Sequence, residues 1–141
     1  MGKVAVVYWS GSGNTAAMAK AMVAGAEAAG AEVSLFTAAE FSPAEAAHFD
    51  KIAFGCSAMG AEELEETEFL PMFEAVEPCL GEKTVALFGS YGWGEGDWMK
   101  AWEEWIRGKG NLFAEGLILN EAPDAQGLEK CREFCRDFGE R

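Results

Sequence analysis

The chain has 141 residues, of which 11 are basic and 24 acidic, for a formal charge of −13. That length fits a single domain, 1–141, able to bury roughly two-thirds of its unfolded surface without disulfide staples. The charge argues against nucleic acid or an anionic membrane as partner and points to a basic protein surface, although solubility alone accounts for it equally well.

Met1-Gly2-Lys3-Val4 lacks the apolar core of a signal peptide and no run approaches the length of a membrane span, so a cytoplasmic protein is expected. Val4-Ala5-Val6-Val7-Tyr8 reads as a strand buried on both faces. It runs into Trp9-Ser10-Gly11-Ser12-Gly13-Asn14-Thr15, which has the composition of a loop that wraps a phosphate. Its glycines permit close backbone approach, and Ser10, Ser12, Asn14 and Thr15 supply short polar groups. The free N–H groups of the helix that follows add donors and a partial positive charge, so an anion is held without Lys or Arg.

That helix is expected from Asn14 to Ala29, with Met18, Met22 and Gly25 on one face and Gly30 as its stop signal. Glu32 to Phe36 gives a second strand. Ser42-Pro43-Ala44-Glu45 reads as an N-cap, a Pro at the first helical position and a capping-box glutamate. Lys51 to Cys56 is a third strand, ending in the small-residue loop Ser57-Ala58-Met59-Gly60. After a glutamate-rich stretch, Phe69, Met72, Phe73 and Val76 recur at helical spacing, with Pro71 tolerable only in the first turn.

Thr84 to Phe88 is the fourth strand, followed by the glycine-laced Gly89-Ser90-Tyr91-Gly92-Trp93-Gly94. Trp98, Trp102 and Trp105 recur as a core stripe. Leu112 to Leu119 supplies a fifth strand, interrupted near Glu115-Gly116. Pro123-Asp124 opens a last helix whose Leu128, Cys131, Phe134, Cys135 and Phe138 share one face. With Cys56 and Cys79 these make four cysteines without a CxxC pair, and His48 is the sole histidine, so no metal site is expected. Strands alternating with helices imply an α/β fold, a three-layer doubly wound parallel sheet whose ligand lies beyond the carboxyl ends of the strands. The loops after strands one, three and four meet at that edge.

In the segments Val7 to Thr15, Gly55 to Gly60 and Ala86 to Gly94 the chain resembles a flavodoxin of the short-chain clostridial kind, and the resemblance covers essentially its whole length. It implies five strands in the order 2-1-3-4-5, with FMN at the point where the strand order reverses. By position, Ser10, Ser12, Asn14 and Thr15, with the backbone of Gly11 and Gly13, would bind the FMN phosphate. Met59 and Trp93 would flank the isoalloxazine ring, and Ser57, Ala58 and Gly60 belong to the first of these ring loops. Ser90 and Tyr91 would lie along the flavin edge, Glu62 would accept a hydrogen bond from the pyrimidine ring, and Gly92 would sit beside it. Trp93 also reads as an ordinary buried aromatic, yet a lone Trp among glycines has little nearby sequence to pack on.

The resemblance implies an electron carrier without substrate turnover of its own, acting as a monomer between redox enzymes such as reductases and ferredoxin-dependent enzymes. Glu62, Glu63, Glu65, Glu66, Glu68, Glu95 and Asp97 would put the added electron in a negative field. At about 12 Å in water each is worth roughly 0.3 kcal/mol, on the order of 15 mV, so only their sum counts. The same glutamates suit either a docking rim for a basic partner or a solvated helix start. Ala61 departs from the family, where a polar residue or glycine is common. In the turn Met59-Gly60-Ala61-Glu62, glycine permits positive φ at Gly60 but alanine disfavours it at Ala61; by the resemblance, this would bias the turn to the form whose carbonyl meets the reduced flavin's N5–H.

Gly11-x-Gly13-x-x-Ala16 also satisfies the loose dinucleotide fingerprint, making an NAD-dependent oxidoreductase the alternative. Its context is poor, because Leu35-Phe36-Thr37 lacks the acidic residue that would hold the ribose and no second domain to bring a substrate is expected within 141 residues. No Gly-Lys-Ser/Thr completes a P-loop. A signalling receiver of the same fold would need an Asp at the end of the third strand, which ends in Cys56.

Overall fold

The structure is a computed structural model and describes residues 3–10, 13–57, 65–81, 83–91, 97–107, 111–120 and 123–140. Its strands are β1 Lys3–Trp9, β2 Glu32–Thr37, β3 Lys51–Cys56, β4 Thr84–Tyr91, β5 Asn111–Leu112 and β6 Leu117–Asn120. All pairings are parallel. The order is β2-β1-β3-β4-β5, with β6 also on β4. β5 and β6 are therefore two pieces of one fifth strand, interrupted where the sequence predicts. At the break Gly116 N–H donates to Glu103 Oε2 (2.5 Å), so a carboxylate from the neighbouring helix takes a donor that left the ladder.

Helices α1 Asn14–Ala28 and α5 Ala125–Glu140 cover one face, and α2 Pro43–Ala46, α3 Phe69–Val76 and α4 Asp97–Arg107 the other. The sheet's period of two sorts its side chains between them. Val4, Val6, Ala53, Ala86 and Phe88 pack with Met18, Met22, Cys131, Cys135 and Phe138. Ala5, Val7, Ile52, Phe54, Val85 and Leu87 pack with Phe69, Phe73, Trp98 and Trp102. The tryptophan stripe is thus core, with Trp98 and Trp102 only 2% and 1% exposed. α1 and α5 touch through Gly25, where a Cβ would stand 2.1 Å from the Arg132 carbonyl oxygen.

Two local expectations shift. β4 runs three residues past Phe88, because Gly89, Ser90 and Tyr91 pair with Ile118, Leu119 and Asn120, and the glycine that reads as a loop signal is a strand residue. Ser42 Oγ accepts the Glu45 N–H (3.4 Å) as expected of an N-cap ahead of Pro43. The complete capping box, with both reciprocal bonds, lies one turn earlier at Thr37 and Glu40. Pro71 falls in the first turn of α3, where its missing N–H costs nothing.

Candidate cofactor site

The carboxyl ends of β1, β3 and β4 lie side by side, since Trp9 is the register partner of Cys56 and Gly55 that of Phe88. The loop after β1 enters α1 through Gly13, whose φ of 94° and ψ of −8° are left-handed and favour glycine. Gly13 N–H donates to Ser10 Oγ (3.0 Å), pinning the loop's two ends together. Among the described residues no side chain caps the first turn of α1, and no acidic residue stands in that turn. A Cβ built on Gly13 meets nothing within 4 Å, so open space faces that helix start. Uncapped donors, the positive end of a helix and free volume suit an anion.

Three hydroxyls join the three loops. Thr15 Oγ1 lies 2.7 Å from Ser57 Oγ and 2.8 Å from Ser90 Oγ, and the two serine oxygens are 3.4 Å apart. Thr15 is fully buried and Ser90 3% exposed, so the group forms a polar knot under the site. This gives Thr15 a positioning role that its place in the loop did not suggest. Tyr91 is half-buried with its ring 5.6 Å from that of Trp98, and Asn14 is likewise half-buried. Gly11, Ser12, Ala58, Met59, Gly60, Ala61, Glu62, Gly92 and Trp93 lie outside the described residues.

Glu65, expected as one charge of a solvated rim, is buried instead. Its Oε1 accepts the N–H groups of Glu68 (2.7 Å) and Phe69 (2.8 Å), and its Oε2 accepts the Thr67 N–H (2.8 Å) and hydroxyl. The carboxylate therefore caps α3. Burial alone pushes its pKa up, but the Thr67 hydroxyl and the three N–H donors outweigh this and bring it down from 4.5 to about 2. Glu65 N–H in turn donates to Cys56 Sγ (3.5 Å), so the chain that leaves β3 returns beside its starting point. The sequence signal was an acidic residue just ahead of an apolar helical pattern. A second unforeseen contact joins Trp9 Nε1, as donor, to Glu68 Oε1 at 3.1 Å.

A Flavodoxin family model matches residues 6–134. The chain belongs to the flavodoxin family. It is 44% identical over 131 residues to a flavodoxin of Megasphaera elsdenii, spanning 93% of this chain and 94% of that one. To a flavodoxin of Clostridium beijerinckii it is 40% identical over 137 residues, 96% of each. Among solved structures, that of two-electron reduced Megasphaera elsdenii flavodoxin superposes with a TM-score of 0.86 at 41% identity, covering 95% of this chain and 98% of that one. The strand order, the loop cluster and these relatives make the protein a flavin-dependent electron-transfer protein. The dinucleotide-dependent alternative is not favoured: Thr37, where that reading needs an acidic side chain to hold a ribose, closes a capping box with Glu40.

Proposed function

We propose that the flavin is FMN, that residues 1–141 act as one carrier domain without a substrate of its own, and that the loops after β1, β3 and β4 hold the cofactor. The observation that carries this reading is the helix start at Gly13, open to space and uncapped among the described residues, and tied to the ends of β3 and β4 by the Thr15, Ser57 and Ser90 hydroxyls. Ser10 to Thr15 would take the phosphate, Ser57 to Glu62 and Ser90 to Trp93 the ring. When bound, the flavin supplies reversible one-electron chemistry. The protein's part is to fix the phosphate with neutral donors and to surround the ring with an excess of negative charge, which holds the fully reduced couple at low potential. The same charge suits redox partners with basic docking surfaces, such as reductases and ferredoxin-dependent enzymes, met by a monomer in the cytoplasm.

Binding of FMN and riboflavin to the flavin-free protein, followed by quenching of flavin fluorescence, tests the assignment. The two ligands differ only in the phosphate. Several charge-assisted hydrogen bonds should favour FMN by about a hundredfold or more. Equal affinity refutes a phosphate site at Gly13.

A further inference from the structure

The last three residues of β4 are held from three directions. Gly89 lies against β3, where a Cβ would stand 2.2 Å from the Cys56 carbonyl oxygen and 3.2 Å from Cζ2 of Trp98. Successive side chains of a strand leave opposite faces of the sheet. Ser90 turns to the α1 face, and its hydroxyl lies 2.8 Å from that of Thr15. Tyr91 turns to the α4 face and sets its ring 5.6 Å from that of Trp98, at an interplanar angle of 48°.

The two partners of this aromatic pair differ in burial. Tyr91 is half-buried at the edge of the sheet, whereas Trp98 is closed off from solvent in the cluster that holds Phe69, Phe73 and Trp102. That cluster is tightly interlocked, with Trp102 edge-on to Phe69 at 5.3 Å and to Phe73 at 5.7 Å. The Trp98 indole N–H is buried without a hydrogen-bond partner among the described residues. An unpaired buried donor costs stability that a leucine or phenylalanine at the same place would not. This position therefore uses the shape of the indole and not its donor.

We propose that Trp98 is a positioning residue for the flavin ring: it holds Tyr91 in one orientation before the cofactor arrives, as Thr15 holds Ser90 from the opposite face. The inference rests on the reading above, in which Ser90 to Trp93 take the ring. Trp98 acts through Tyr91 alone, because its own side chain is shut inside the core. A half-buried tyrosine without that support would sample several rotamers and shift the backbone it shares with the site. Binding would then have to order it, at a cost in affinity.

Two measurements test the proposal. The first needs no variant of Trp98. In flavin-free wild-type protein with isotopically labelled tyrosine, of which the chain has two, the ring protons of Tyr91 should be displaced from the free-tyrosine position and show nuclear Overhauser contacts to Trp98. Tyr91→Phe identifies the signal. A Tyr91 ring that averages over rotamers in the flavin-free protein overturns the proposal.

The second is fluorescence titration with riboflavin and with FMN. Trp98→Leu should weaken both by the same factor, roughly fivefold to tenfold, since the ring is common to both. Their ratio, set by the phosphate, should stay within about twofold. In a Tyr91→Leu background the same change should move either affinity by less than about twofold, yet still lower the urea midpoint, because the core packing of Trp98 is lost in either background. Unchanged affinities in Trp98→Leu overturn the proposal. So does the full loss repeated in the Tyr91→Leu background, which marks a general loosening of the fold, and so does a loss confined to FMN, which places the effect at the phosphate. Wild-type protein that binds neither flavin overturns the FMN reading instead, and the Tyr91 signal then still decides whether Trp98 orders that ring.

Discussion

Replacing Glu65 by glutamine removes one charge at almost constant shape, and the structure sets both the size and the pH dependence of the effect. The amide oxygen can still accept the N–H groups of Glu68 and Phe69, but the amide nitrogen faces the Thr67 N–H, donor against donor. The fall of the carboxyl pKa from 4.5 to about 2 bounds the loss. At about 1.4 kcal/mol per pH unit it converts to at most roughly 3.5 kcal/mol. With half of the bonds retained, about 2 kcal/mol is expected at pH 7. Because the folded-state pKa lies below the unfolded one, this stabilisation is complete above about pH 4.5 and is lost as the pH falls towards 2. Urea unfolding of wild type and Glu65→Gln, both flavin-free, at pH 7 and pH 3 measures it. The gap should be about 2 kcal/mol at pH 7, and more than half of it should vanish by pH 3. A gap that stays constant over that range, or a variant as stable as wild type, refutes the assignment of Glu65 as an ionised cap.

Gly25→Ala sets two effects against each other: alanine gains up to about 1 kcal/mol in helix propensity, but its Cβ meets the Arg132 carbonyl oxygen at 2.1 Å. The clash should win, since forcing packed helices apart costs about 1–3 kcal/mol, and a lowered melting temperature checks it. A variant as stable as wild type would show that α1 and α5 are less tightly seated. Among the thiols, burial pushes Cys56 and Cys135 up to about 12 and Cys131 to about 11, while Cys79 is exposed. A disulfide reagent at pH 8 should therefore label one cysteine promptly and the other three only as the protein unfolds. Two or more fast thiols would contradict the burial of these side chains.

The frame of the fold was legible because hydrophobic period and punctuation agree in this chain. β3 coincides with Lys51–Cys56, and α1 ends one residue before the predicted Ala29, with Gly30 at a φ of 89°. The carboxyl ends of β1, β3 and β4 were legible as neighbours because a doubly wound sheet must bring them to one edge. What escaped depends on residues distant in sequence. Ser90 reads as a loop residue until β6 pairs with it, and nothing near Thr15 in the sequence announces that its hydroxyl meets those of Ser57 and Ser90, 42 and 75 positions on. Glu65 looks like its neighbours Glu66 and Glu68 in composition, and only the start of α3 folding over it makes it a cap. Trp9 and Glu68, 59 positions apart, carry no local pattern that links them.

The central claim, a carrier that moves single electrons through FMN in a negative field, is tested most directly by anaerobic redox titration of the FMN-loaded protein followed by its visible spectrum. The account predicts two resolved one-electron steps, with the second at a potential below that of free FMN. A single two-electron transition at the free flavin's potential, or a colourless protein that takes up no added FMN, would contradict it.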